Sequence, residues 1–271
     1  MKWKLVFNGI SLFLIFTFIT ACSSTGAAPT TAPVPTETTI PTEAPISPGA
    51  GMPVTGTGLC ANAYYPVREG ATWSYKSVGG PTGEFGFTDT ITSVREDGFT
   101  LTTQFEDLTR TQEWSCTSDG LVALQLGGPS AATLNTQGMQ LNLDVNDVSG
   151  VTFPNTISTG DQWQHNLGFT GKMSIAGQEG EATGNAQSSF TALGEESVTV
   201  AAGTFDAMKV QADTTLNITA TVQGLSIPVT LSSTYTFWFV QGVGWVKASG
   251  SGDIGGQSFS ESIELQSYSI P

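Results

Sequence analysis

Leu216-Asn217-Ile218-Thr219-Ala220-Thr221-Val222 alternates apolar and polar residues without a break. In a strand, successive side chains leave on opposite faces, so this stretch makes one apolar face and one polar face. The same alternation runs outward from it along the chain. Met139, Leu141, Leu143 and Val145 interleave with Gln140, Asn142, Asp144 and Asn146, and Phe99, Leu101, Thr103 and Phe105 form another such series. Period-two patterning over several segments predicts antiparallel sheets with one buried and one wet face. Thr, Val and Phe are frequent, as strands favour. Turn signals recur at Gly79-Gly80-Pro81, Asp97-Gly98, Asp119-Gly120 and Gly255-Gly256. No long segment keeps a 3.6-residue period. The fold class is therefore all-β, and glycines beyond the turns predict bulges and strong curvature.

The chain also echoes itself. Gly70-Ala71-Thr72-Trp73-Ser74-Tyr75 matches Gly160-Asp161-Gln162-Trp163-Gln164-His165: glycine three before tryptophan, a ring two after. Farther on, Trp114 precedes Gly120-Leu121-Val122 and Trp238 precedes Gly244-Trp245-Val246 at the same spacing. Each half opens with G-x-x-W and ends near W-x5-G-x-V. Half-repeats of about 59–150 and 151–271 follow. The second half is longer by 34 residues between its markers (75 against 41), enough for extra hairpins. Two related meanders with glycine-driven curvature predict a large curved antiparallel sheet or half-open barrel, which protects strand edges by nearly closing.

The N-terminus carries a different signal. Lys2 and Lys4 precede an uncharged, mostly apolar run from Leu5 to Ile19, and Ile19-Thr20-Ala21-Cys22 closes it. That is the order of a secretory signal, and the run is short for a bilayer span. The tetrapeptide resembles the lipobox of bacterial lipoproteins. The resemblance implies cleavage after residue 21 and diacylglyceryl transfer to the Cys22 sulfur, with anchoring at the cell membrane or outer membrane on the extracytoplasmic side. Ser23 after the cysteine would permit passage to an outer membrane. Residues 22–58 are rich in Thr and Pro with Glu37 and Glu43 as the charges. Such a segment buries too little apolar area to offset its ordering entropy and is expected as an extended, disordered tether. The β domain then spans 59–271.

Loss of Lys2 and Lys4 with the signal leaves 7 Lys+Arg against 23 Asp+Glu, a difference of −16. That balance argues against a nucleic-acid partner and against adhesion to anionic head groups. With Cys22 carrying lipid, Cys60 and Cys116 remain, and two cysteines in an exported domain most often pair. Closing a loop of that length contributes about 4 kcal/mol on the chain-entropy model. No CxxC occurs and His165 is the single histidine, so no metal site is expected.

No catalytic set is found. Nucleophilic catalysis needs a base beside a nucleophile, and His165 aligns with Tyr75, a ring-for-ring exchange that packing explains. The acidic pairs Glu96-Asp97, Glu106-Asp107 and Glu195-Glu196 are adjacent in sequence, so on a strand they face opposite ways; turns or strand ends are expected there. Asp144-Val145-Asn146-Asp147 lacks the spacing and glycine of a calcium loop.

Val198-Thr199-Val200-Ala201-Ala202-Gly203-Thr204-Phe205 resembles a pattern, V-x-V-P-A-G-T-F, of DUF3108-like and TapB-like exported β-proteins, with Ala201 in place of the proline. Tyr64 to Trp73 fits their Y-x-P-x-x-x-G-x-x-W, and Trp238 to Val246 fits W-x-x-x-G-V-G-x-V. The resemblance implies a curved antiparallel sheet distantly similar to LolA/LppX-type lipoprotein carriers, with no catalytic residues and no cofactor. Ala202-Gly203-Thr204-Phe205 reads as a tight turn into a strand.

A tryptophan set either fills a β core or lines a ligand cavity. The repeat spacing favours core for Trp73, Trp114, Trp163 and Trp238. Trp245 stands where the other half has Leu121, so the repeat explains it least. Trp245, with Trp163 and Trp73, is the expected ligand-facing group. The functional expectation is a non-enzymatic binding or carrier module for an apolar ligand, perched on a membrane through Cys22. The alternative is a structural or interaction protein displayed on the cell surface, meeting an envelope polymer.

Overall fold

The computed structural model describes residues 56–81, 83–106, 108–126, 139–175, 178–254 and 256–271. The signal, Cys22 and nearly all of the tether lie outside the described residues, as do Asp107 and Gly255. The strands are β1 (Thr72–Gly79), β2 (Phe85–Arg95), β3 (Gly98–Phe105), β4 (Leu108–Cys116), β5 (Gly120–Ala123), β6 (Met139–Gly150) and β7 (Phe153–Pro154). They continue with β8 (Gln162–Ile175), β9 (Gln178–Val200), β10 (Gly203–Val222), β11 (Leu225–Val240), β12 (Gly244–Ile254) and β13 (Gln257–Ser269). All 13 belong to one antiparallel sheet, ordered β6-β8-β9-β10-β11-β12-β13-β1-β2-β3-β4-β5-β7, curled into a half-barrel. The turn signals at Gly79-Gly80-Pro81, Asp97-Gly98 and Asp119-Gly120 fall at strand ends as the sequence implies, and Gly203 opens β10 after its turn.

β1 to β5 and β8 to β12 are successive five-strand meanders whose ends match bond for bond. Gly70 and Gly160 both have positive φ, 83° and 91°, which favours glycine. Their N–H groups donate to Ile91 and Ala192 carbonyls, each at 2.8 Å, leading into β1 and β8. At the far ends, Trp114 opposes Ala123 and Trp238 opposes Lys247, the same register counted from each tryptophan. The expected extra hairpins are not there among the described residues. The added chain lengthens strands instead: β2, β3 and β4 have 11, 8 and 9 residues, whereas β9, β10 and β11 have 23, 20 and 16. Unbroken alternation through Leu216 to Val222 explains this, because no turn signal interrupts the ladder.

Glu195 and Glu196 are a second departure. They lie inside β9, not at its end, and both are exposed. A bulge opposite Lys209 and Val210 disturbs the alternation there, and Glu196 pairs with Lys209 at 2.8 Å. Asp144 to Asp147 sit on β6, again with a bulge. Among the described residues no group of three or more His, Cys, Asp or Glu side chains gathers to hold a metal ion.

The sheet edges meet at one end. Val151 N–H donates to Gln164 O on β8, while Thr152 N–H donates to Leu121 O on β5. The segment before β1 crosses the same end. Cys60 bonds Cys116 on β4, Asn62 Nδ2 donates to Pro154 O on β7 at 3.0 Å, and Gly242 N–H reaches Ala63 O at 2.8 Å. Asn62 Oδ1 also accepts the Tyr64 and Tyr65 amides, at 2.9 and 3.0 Å, and thereby fixes the turn that sends Tyr65 inward. Tyr65 stacks near Trp73, Phe99, Trp114 and Phe153 at centroid distances of 5.3–5.8 Å. This aromatic cluster is the main core. A second core, of Leu167, Phe169, Met173, Leu216, Ile218 and Leu231, lies along the long strands.

Candidate ligand-binding site

Antiparallel partners put their side chains on the same face, so the register writes out the concave wall row by row. Across β8, β9, β10 and β11 one row is Trp163, Phe190, Ala212 and Tyr235. The next is His165, Ser188, Thr214 and Ser233, and the one after is Leu167, Ala186, Leu216 and Leu231. A polar row thus lies between two apolar ones. On the other meander, Tyr75, Phe87 and Phe105 form an aromatic row, beside Trp73, Asp89, Thr103 and Arg110.

Between these walls lies a cavity of about 300 Å³. Its lining is mostly apolar and draws on both meanders, including Phe85, Phe87, Phe105, Trp163, Leu216 and Trp245. The volume is at the low end of small-molecule sites, which are typically about 300–1,000 Å³ and mostly apolar. The small side chains of Ala186 and Ala212 on the wall leave room that larger residues would occupy.

The expected tryptophans divide. Trp245 lines the cavity and lies flat on Tyr75, centroids 3.9 Å apart and planes 6° from parallel. The Tyr75 hydroxyl donates back to the Trp245 carbonyl at 3.0 Å. Trp163 also lines it, stacked on Phe190 at 5.3 Å, its Nε1 donating to Thr152 O at 3.2 Å. Trp73 shares the inward face but does not line the cavity. Its ring is buried in the main core and Nε1 donates to Val243 O at 2.6 Å, so packing occupies the whole side chain. Trp114 and Tyr65 are wall residues the sequence assigned elsewhere or not at all. Trp114 shares parity with Gln112 and Arg110 on β4, which become wall residues only once the strands pair.

Cys60 and Cys116 form the expected disulfide, Cα atoms 4.9 Å apart. Cys22 lies outside the described residues.

Sequence reading missed the charged groups in the wall. Asp89 is buried, at 8% exposure, and accepts the Thr103 hydroxyl at 2.6 Å. Burial pushes its carboxyl up to about 6, against the lowering effect of that hydrogen bond. Arg110 lines the cavity and burial lowers its pKa; no carboxylate among the described residues lies within ion-pair distance. Burial likewise lowers the His165 imidazole, opposed by a backbone hydrogen bond at Ala123. At 7% exposure, His165 keeps Nε2 without a partner. Nothing in a single sequence distinguishes Asp89 and Arg110 from surface charges, because the alternation that buries them is the same on either face; His165 is the ring that the match with Tyr75 assigns to packing. The arrangement suits holding an apolar body with polar features. Ser188, opposite His165, shares its hydroxyl hydrogen bond with Thr214 at 3.0 Å.

Comparison with solved structures gives distant neighbours. A candidate exported protein described as of YmcC-like fold, from Bacteroides fragilis, aligns over 77% of this chain and 100% of its own, with 12% identity and TM-score 0.45. A candidate lipoprotein from Parabacteroides distasonis aligns over 78% and 99%, with 15% identity and TM-score 0.43. The hypothetical lipoprotein YmcC from Escherichia coli aligns over 74% and 85%, with 12% identity and TM-score 0.33. No curated protein matches the sequence. A family model does match, over residues 110–262, from Arg110 on β4 to β13, more than half of the chain and most of the cavity wall. The chain belongs to the DUF3108-like family.

Proposed function

We propose that this protein is a lipid-anchored extracytoplasmic lipoprotein whose curved sheet holds an apolar ligand and performs no chemistry on it. The observation that carries the reading is the apolar-walled cavity of about 300 Å³ between the two meanders. A fully side-chain-filled interior would have left nothing to carry. The wall residues are mainly aromatic and aliphatic, so the favourable term is burial of apolar surface, about 25 cal/mol per Å². Stacked rings such as Trp245 on Tyr75 are already fixed, which lowers the ordering cost of binding.

Anchoring follows the N-terminal signal. Acylation at Cys22 supplies two or three chains, enough for stable attachment where one is marginal. The Thr/Pro-rich tether of 22–58 then gives the domain reach.

Organic extraction and mass spectrometry of the domain, purified without detergent, test the ligand. Wild type should release an apolar compound or take up added amphiphile, and Ala212→Trp, which fills the wall, should do neither while remaining folded. A wild-type domain that binds nothing apolar would end the reading. The anchor is tested separately by globomycin treatment and mass spectrometry of the mature N-terminus, where an unmodified Cys22 refutes it.

A further inference from the structure

We propose that the cavity ligand is a single-chain amphiphile with an anionic head group, for which Arg110 is the counter-charge. The inference rests on the cavity reading above and adds the ligand's charge and chain number.

Three observations converge. First, Arg110 lines the cavity, and its one hydrogen bond among the described residues is a long one, 3.4 Å from the guanidinium to Leu126 O. A guanidinium carries five donors in a planar fork that fits carboxylate or phosphate. Arg110 is partly buried and none of its nitrogens is sealed off without a partner, so its remaining donors stay open to an anion that enters the cavity.

Second, the carboxylates of the same cavity are already engaged. Asp89 accepts the Thr103 hydroxyl at 2.6 Å, and Asp253 accepts the Gly256 N–H at 2.9 Å in the β12–β13 turn. Among the described residues each of these carboxylates has a donor, while Arg110 has no ion-pair partner. Each carboxylate already holds one donor through Oδ1, whereas an incoming anion finds several free donors on the Arg110 guanidinium. Third, His165 is more than nine-tenths buried, lines the cavity and keeps Nε2 unpartnered. It marks the wall as one that meets a polar group, not a pure hydrocarbon.

The rest of the wall fits a chain. Leu167, Ala186, Leu216 and Leu231 form a continuous aliphatic row beside the polar one. A volume of about 300 Å³, at the low end for ligand sites, suits a single acyl chain.

The test is calorimetric titration of the purified domain with decanoate, decan-1-ol and decylamine at a pH of about 8, on wild type, Arg110→Gln and Arg110→Lys. Wild type should bind decanoate most tightly. Arg110→Gln should weaken decanoate by roughly ten- to hundredfold, the loss of a charge-assisted hydrogen bond, with decan-1-ol little changed. Arg110→Lys should keep part of the preference. Decan-1-ol binding by Arg110→Gln doubles as the control for folding. Wild type that binds decan-1-ol or decylamine at least as tightly as decanoate overturns the head-group assignment while the cavity reading stands, as does an undiminished preference in Arg110→Gln. Failure of all three compounds to bind wild type removes the cavity reading, and this inference with it.

Discussion

At the level of its opening tryptophan, the first meander reads Trp73, Asp89, Thr103 and Arg110, and the second reads Trp163, Phe190, Ala212 and Tyr235. One level along, the pattern inverts: Tyr75, Phe87 and Phe105 against His165, Ser188, Thr214 and Ser233. Two meanders with matching ends therefore place polar groups at different heights of one wall. The apolar lining is interrupted twice, and each interruption is partly self-satisfied, by Thr103 on Asp89 at 2.6 Å and by Ser188 with Thr214 at 3.0 Å. The two also differ in how they are held. Short strands, dense rings and a disulfide fix the first. The second relies on long ladders and small side chains, and that is where the wall gains room.

Removing the covalent difference should have the largest effect. Cys60→Ser with Cys116→Ser should cost about 4 kcal/mol in urea unfolding, since the bridge spans 56 residues. Hydrogen exchange should quicken most in β3 to β5 and least in β9 and β10; equal quickening would dissolve the contrast between the meanders.

Next comes the buried carboxylate. Its folded pKa, about 6, lies above the unfolded value, so burial penalises the ionised form. Between roughly pH 4 and 6 the folded state binds more protons, and stability falls as pH rises through that window. Asp89→Asn should then stabilise by up to about 3 kcal/mol at pH 7 and by little at pH 4. A gain that does not vary with pH would show that the charge is not the cause.

Trp245→Leu installs the residue that the matching position, Leu121, carries. It should lose the stack on Tyr75, about 0.5–1.5 kcal/mol beyond the area lost, and enlarge the cavity, which calorimetry and ligand uptake would register. The smallest effect should be at the half-exposed Arg95–Glu113 pair, 2.7 Å apart. Arg95→Gln should stay within about 1 kcal/mol of wild type and lose its effect in high salt.

Several of these features were legible beforehand. Trp73 and Trp163, three after Gly70 and Gly160, mark two strand starts because a positive-φ glycine must precede each turn into the sheet. Cys60 and Cys116 were the two thiols left to pair. Trp245 stood out because it broke the match with Leu121. Asp89, Arg110 and Ser188 were not legible, because alternation gives parity and not which parity faces inward at a polar position. The longer second half implies extra hairpins, where the structure has longer strands. Chain length between markers does not separate more strands from longer ones when turn signals are sparse.

The sequence by itself determined strand character, turn positions and curvature, all set by neighbours a few residues apart. The tertiary structure alone decided which side of each strand curls inward, and so which polar groups enter the cavity. That choice depends on register between residues such as Asp89, Thr103 and Arg110, far apart in sequence and side by side only after the strands pair. The tryptophans show the same division: Trp73 is spent on the core by its bond to Val243, and Trp245 is left to face the space between the walls.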